Sequence, residues 1–246
     1  MQDGDQDTDS TTLTITINGE DDGVTISGLD GEGAEETVFE NDLANGTSPD
    51  AAALSQSGTF SFVSPDGAAS ITIGGQVFTF AQLTNSGTTP LIIDGPHGNL
   101  VINGFSGTAA GGTVSYTYTL DTAVDNAPAS DNFLESFNIV VADVDGSSDS
   151  ASLDVDIIDD HPIANPDTNS ISEKGTSVSG NVLPNDVAGA DGSKEVTTTG
   201  TIHGTYGDLV LSSGGGYTYT LHTDPATQAA LAALDTLGVS AKPSQS

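Results

Sequence analysis

Carboxylates at close, alternating spacing recur in two related phrases of this chain. Asp3, Asp5 and Asp9 lie in DGDQDTDSTTLTITI (Asp3–Ile17), and Asp143, Asp145 and Asp149 lie in DVDGSSDSASLDVDI (Asp143–Ile157). Alternate aspartates in a tight turn put their side chains on one side, and Gly146 permits the positive φ such a turn needs. Hard oxygen donors converging in one loop suit a hard divalent cation. Calcium fits best, because it takes about six to eight oxygens in a flexible shell. The competing reading is an Asp-rich β-turn whose side chains bond their own backbone.

The Asp143–Asp145–Gly146 turn is half of an EF-hand loop in spacing, but it lacks the distal Glu and the helices and is not one. Other acids gather where predicted strands end. Asp159 and Asp160 follow one strand, with Asp167 a few residues on, and Asp21 and Asp22 hold the matching place earlier in the chain. Paired carboxylates raise each other's pKa unless a cation neutralises them, so these pairs are read as calcium ligands at module joints. The Asn185–Asp186 and Asp191–Gly192 pairs are candidates by the same spacing logic. Glu35, Glu36, Glu40 and Asp42 are read as further donors near the Asp21–Asp22 joint.

Composition narrows the partners. Three Lys+Arg face 35 Asp+Glu, a net charge of −32. Nucleic acid needs the opposite sign, and an anionic membrane is equally poor. Cysteine is absent, which excludes disulfides and thiolate zinc sites. No apolar run is long enough to span a membrane, and no signal peptide is visible after Met1.

The elements that must position these acids are strands. Leu13, Ile15 and Ile17 alternate with threonines, Phe137, Ile139 and Val141 alternate with polar residues, and Leu153, Val155 and Ile157 alternate with Ser152, Asp154 and Asp156. Period-two alternation marks a strand with one buried and one wet face. Further strands are expected over Val24–Ile26, Thr59–Val63, Ser70–Ile73, Gln76–Phe80, Leu91–Ile93, Leu100–Ile102 and Thr113–Leu120, and one helical turn over Pro49–Leu54 behind Ser48. Thr-rich strands between Gly, Asn, Asp and Ser turns predict an all-β fold of tandem immunoglobulin- or cadherin-like β-sandwich modules.

Two repeats set the module plan. Leu13 aligns on Leu153, an offset of 140 residues, which is a domain rather than a solenoid rung. GNLVI (Gly98–Ile102) with YTYTL (Tyr116–Leu120) recurs as GDLVL (Gly207–Leu211) with YTYTL (Tyr217–Leu221). The chain therefore reads as a slice of a longer tandem array. Residues 1–20 are the tail strand of a preceding repeat, 21–160 a complete sandwich, and 161–239 a partial one. Residues 240–246 form a disordered tail. A short helix is expected near the end, capped by Thr223 or Asp224 with Pro225 in its first turn and Leu231, Leu234 and Leu237 on one side.

No catalytic set emerges. His97 and His203 are placed in matching turns, His161 and His222 lack a nucleophile partner, and no G-x-S-x-G occurs. The chain has no Trp, so the aromatic platforms of a glycosidase cleft are lacking. Tyr116, Tyr118, Tyr217 and Tyr219 are read as core.

Gly23–Asp160 resembles the repeat of about 140 residues of giant bacterial RTX adhesins exported by type I secretion. The phrases that carry this are VFENDLANGTSPDAAALSQSGTFSF (Val38–Phe62), DGAASITIGGQVF (Asp66–Phe78), HGNLVINGF (His97–Phe105), VSYTYTLD (Val114–Asp121) and FNIVVADVDGSSDSASLDVDIIDDHPIA (Phe137–Ala164). Pro162–Gly238 resembles the start of a VCBS-type or cadherin-like repeat, through NVLPNDVAGADG (Asn181–Gly192) and YTYTLHTDPATQAALAAL (Tyr217–Leu234). It departs from that pattern by ending before the last strands, which fits a split domain flanking an inserted ligand-binding domain. The resemblance implies calcium-stiffened extender modules on an extracellular bacterial surface, projecting ligand-binding domains for attachment and biofilm formation. It implies a calcium role for Asp143, Asp145, Asp159, Asp160 and Asp167, and no catalytic residue. The expected partners are neighbouring repeats and an inserted or adjacent ligand-binding domain, in a monomeric chain. The alternative is a sandwich module that itself binds a glycan or peptide.

Overall fold

The computed structural model describes residues 1–17, 22–29, 31, 33–125 and 132–237, with backbone alone at 234–237. The fold is all-β. Ten strands form the first unit: β1 (Thr25–Ser27), β2 (Glu36–Phe39), β3 (Ser55–Val63), β4 (Ala68–Ile73), β5 (Gln76–Thr79), β6 (Leu91–Asp94), β7 (Gly98–Thr108), β8 (Gly111–Leu120), β9 (Asn132–Asp143) and β10 (Ser148–Ile158). They make two five-stranded sheets, ordered β1-β3-β8-β7-β6 and β2-β10-β9-β4-β5. All pairs are antiparallel except β2 with β10.

The alternation read from sequence is what builds this sandwich. Phe137, Ile139 and Val141 of β9 and Leu153, Val155 and Ile157 of β10 are buried, as are Leu100 and Ile102 of β7 and Val114, Tyr116, Tyr118 and Leu120 of β8. Each strand thus turns every second residue inward, and the two inner faces share one core. Tyrosine in that core needs a partner for its hydroxyl. Tyr116 donates to Glu36 Oε1 at 3.1 Å and Tyr118 to Glu135 Oε2 at 2.8 Å.

Three local expectations are corrected. The predicted strand Gln76–Phe80 stops at Thr79, because Thr79 and Gln82 form a reciprocal cap that starts helix α1 (Phe80–Thr84). Pro49–Leu54 is a turn rather than a helical one: Asp50 Oδ1 accepts from Ala52 N at 3.0 Å, and β3 begins at once at Ser55. Thr11–Ile17 forms no strand among the described residues. Leu13, Ile15 and Ile17 are 82, 74 and 90% exposed, where their repeat partners in β10 are fully buried. The same pattern gives opposite burial because a strand exists only where a ladder partner does.

The second unit is one sheet, β11 (Ser177–Asn181), β12 (Gly200–His203), β13 (Gly207–Leu211) and β14 (Gly216–Leu221), ordered β11-β14-β13-β12. Its registers reproduce β3-β8-β7-β6 pair by pair. Gly58 opposite Tyr116 becomes Gly180 opposite Tyr217, Leu100 opposite Tyr118 becomes Leu209 opposite Tyr219, and Ile93 opposite Leu100 becomes Ile202 opposite Leu209. Among the described residues no second sheet faces it. Ile202 is 45% exposed where Ile93 is buried. Helix α2 (Pro225–Leu237) follows, and Asp224 caps it by accepting from Ala226 N and Thr227 N, as expected from sequence. Leu231 is buried. The expected tail, residues 240–246, lies outside the described residues.

Candidate metal centres

The two ends of the complete sandwich each gather acids. β10 runs between them, about 34 Å at the usual rise per residue. At the end where residue 22 enters, the β9–β10 hairpin turn carries Asp143 and Asp145. Gly146 takes φ +110°, the conformation expected of it, so the turn closes with Gly146 N donating to Asp143 Oδ1 at 2.9 Å. The Ser64–Gly67 turn between β3 and β4 brings Asp66 alongside, because Ala68 pairs with Asp143 and Val144 N donates to Gly67 O. One carboxylate oxygen from each of Asp66, Asp143 and Asp145 lies within 4.8 Å of the others. Asp143 is 5% exposed and its Oδ2 is buried with no hydrogen-bond partner. A buried carboxylate oxygen left unmet is costly, and a bound cation is one way to meet it.

Burial pushes the Asp143 carboxyl up, but its contact with Asp145 and the N–H groups of Gly146, Ser147 and Asp145 outweigh this and hold it below the usual carboxylate range. It therefore stays anionic at neutral pH, as a ligand must. The linker is tied to the same centre, since Asp22 N donates to Asp66 Oδ2 at 2.9 Å. Asp21 lies outside the described residues. Asp149 is not in this group: its Oδ2 accepts from Ile26 N at 2.7 Å and its Oδ1 from Ser150 N, which fastens β1 to the second sheet.

A second group of acids lies where the second unit joins, related by charge rather than by a shared ligand geometry, since among the described residues no three of them bring carboxylate oxygens within 4.8 Å of one another. Glu40, in the 3-10 turn Glu40–Asp42, is fully buried, with Oε1 accepting from Val124 N and Oε2 without a partner. Burial raises its pKa, with Asp191 and Asp159 adding to the rise. Burial likewise raises Asp191, and Asp159, Asp125 and Asp160 contribute. These acids come from both units, so their repulsion is felt across the joint. Asp160 ties the end of the first unit down, and a hydrogen bond from Asn45 then crosses to the second. Asp160 accepts from Thr47 N at 2.7 Å and from Thr47 Oγ1 at 2.5 Å, and Asn45 Nδ2 donates to Ala190 O. Asp159 faces His161 at 3.2 Å.

The remaining sequence candidates go elsewhere. Asp167 is exposed and enters neither centre. Asp186 Oδ1 accepts from Asn165 N, and Lys194 Nζ sits on the carbonyls of Leu183 and Asp186, so an ammonium already serves that loop. Asp191 belongs with Glu40 rather than with Asp186. Glu35, Glu36 and Glu40 do not gather near Asp22: Glu35 accepts from Asp154 N, Glu36 holds Tyr116, and Glu40 is at the far end, because β2 runs parallel to β10 and carries them there. The Asp3–Asp5–Asp7 group repeats the turn geometry but is exposed throughout.

No protein-family model matches the chain, and no curated protein matches it. The fold and the centres therefore carry the functional argument. Asp66 and Asp125 were missed in the sequence. Ser64-Pro65-Asp66-Gly67 is legible as a turn, but nothing local says that it abuts a turn about eighty residues later.

A charge test follows at Glu40. Its pKa is raised, so the folded state binds protons more tightly than the unfolded one. Without a cation, stability then rises as pH falls through the folded value towards the ordinary 4.5, the reverse of usual acid denaturation. Glu40→Gln removes the charge while keeping an acceptor for Val124 N. Melting in chelator at neutral pH is expected to move up, and the response to calcium to shrink. A lower melting temperature in chelator together with an undiminished calcium response would refute the assignment.

Proposed function

We propose that this chain is a calcium-stiffened structural extender segment of a large secreted bacterial surface adhesin. The single observation that carries the reading is Asp143, which has a buried oxygen without a partner and gathers with Asp66 and Asp145 at the end of the sandwich where the linker enters. The Glu40–Asp159–Asp160–Asp191 group at the opposite end supports it, because both centres lie at joints and not in a cleft. Calcium would be held at the first by Asp66, Asp143 and Asp145, and at the second by Glu40 and Asp191 with Asp159. It would supply charge neutralisation and nothing else.

The mechanism is mechanical. Without the ion, like charges at a joint repel and the units hinge. With it, carboxylates from adjoining segments share one cation and the joint stiffens. Extracellular calcium sites have dissociation constants of roughly 0.1–1 mM, so they are empty in a cytoplasm and filled outside. Secretion through a type I system, an extracellular surface location and a role in attachment and biofilm formation come with the resemblance to RTX adhesin repeats. Ligand-binding domains joined before or after this segment would be its cargo. Among the described residues no helix is long and apolar enough to cross a membrane.

Small-angle scattering of the chain in calcium and in chelator tests this. A longer maximum dimension and a narrower distance distribution in calcium are expected. Identical curves in both would show that the joints do not respond and would remove the stiffening role.

A further inference from the structure

One turn of the second unit is seated in the end of the first. Ala190 is 3% exposed and is buried with the apolar core of the complete sandwich, although the last strand of that sandwich, β10, ends at Ile158. Hydrogen bonds on both sides hold the turn in place. Ile163 N donates to Val187 O and Val187 N to Ile163 O, each at 2.9 Å, so the linker is bridged to the 187–190 turn as soon as it enters the second unit. From the first unit, Asn45 Nδ2 donates to Ala190 O. Gly192 N donates to Gly189 O at 2.9 Å, and Gly192, at φ +74°, turns the chain away again.

Gly189 is what lets the turn seat. A Cβ there would strike the Asp160 carbonyl oxygen, which is backbone and cannot swing aside as a side chain could. The phrase Asn41-Asp42-Leu43-Ala44-Asn45 recurs as Asn185-Asp186-Val187-Ala188-Gly189, and the two copies meet at this joint. Where the first copy has Asn45, whose amide crosses to the second unit, the second copy has the glycine against which the linker lies. The linker has little slack. Only residues 159–162 separate β10 from the Ile163–Val187 bridge, and Asp160 among them is buried and held by Thr47.

We infer that the end of the complete sandwich carrying Asn45 and Thr47 is a docking surface for the 187–190 turn of the unit that follows, and that this latch sets the orientation of the two units. Domains joined in one chain otherwise tend to move against each other. The contact is small, but the short tether makes its closure intramolecular, so a weak contact is enough to keep it shut. The latch is made of packing and backbone hydrogen bonds and does not rest on the calcium reading. Glu40 and Asp191 repel each other across the same joint and oppose it, and a cation would relieve that opposition.

The chain has no cysteine, so a pair of spin labels can be placed without background. Thr59→Cys on β3 and Thr201→Cys on β12, both exposed, put one label on each unit, and pulsed electron resonance of the whole chain in saturating calcium reads the distance between them. A single narrow distribution is expected, and Gly189→Ala is expected to widen it at least about twofold. Gly214→Ala, the same change where a Cβ meets open space, is expected to leave it unaltered. Asn45→Ala removes the crossing hydrogen bond while leaving the second unit's own residues intact, and it is expected to widen the distribution as well. A broad distribution in the parent, or widths unaltered in Gly189→Ala and Asn45→Ala, overturns the latch. Repeating the parent in chelator separates the two readings. A distribution that stays narrow keeps the latch and removes calcium stiffening from this joint, and one that widens only in chelator keeps both.

Discussion

In 10 mM calcium the chain is expected to melt about 10–20 °C higher than in chelator at matched ionic strength, if the two proposed centres fill. The figure follows from linkage. A site with a dissociation constant of about 0.1 mM is then at roughly a hundredfold excess and contributes about 2.7 kcal/mol. Two such sites contribute about 5 kcal/mol, and a chain of this size gains about 2–4 °C per kcal/mol. Thermal melts followed by far-ultraviolet circular dichroism check it. Variants assign it. Asp143→Asn and Asp66→Asn should each remove about half of the rise, since each strips a ligand from the entrance centre. Asp149→Asn should leave the rise whole, because its amide oxygen still accepts from Ile26 N and it belongs to no centre. An equal rise on adding a monovalent salt would mean that simple screening is at work and that no ion is bound.

Gly98→Ala destabilises the complete sandwich by about 3 kcal/mol, at the upper end of what overpacking usually costs. A Cβ at Gly98 would strike the Thr119 carbonyl across the β7–β8 ladder and the Tyr118 ring. The ring has no room to withdraw, since Glu135 holds its hydroxyl and Phe137 packs edge-on at 6.1 Å. Gly207→Ala makes the same collision with the Thr220 carbonyl and the Tyr219 ring, whose Cζ would be 2.9 Å away. There the ring is only half-buried and among the described residues no sheet faces it, so the ring's share of the cost falls while the carbonyl clash remains, and Gly207→Ala is expected to cost less than Gly98→Ala. Hydrogen exchange read by mass spectrometry separates the two units. Equal losses of protection in both, or no loss in Gly98→Ala, would show that the facing sheet does not confine Tyr118.

This contrast also shows how the second unit differs from the first. The two share four strands, their order and their registers. They differ in cover. In the first, β9 and β10 bury the inner face, and in the second the equivalent apolar row Val178, Tyr219, Leu209 and Ile202 is left half-covered or open. Stability should follow cover, with the second unit exchanging first.

The all-β fold and most strands of the sandwich were legible in the residues alone, as was the repeat of GNLVI and YTYTL that the two units share. Alternation with period two is a local property, and it survives translation into burial wherever a partner strand exists. Leu153, Val155 and Ile157 were legible for that reason, as was a cap for α2 at Thr223 or Asp224, of which the structure uses Asp224. The acids were legible as acids, but not as sites. Asp143 and Asp145 share a turn and could be paired from spacing, whereas Asp66 joins them only because β4 pairs with β9. Glu40 was assigned to the wrong end because the direction of β2 is set by its parallel ladder with β10, which leaves no mark in the residues between. Thr11–Ile17 makes the same point from the other side: it has the residues of a strand and is not one, since the hydrogen bonds that define a strand belong to its neighbours.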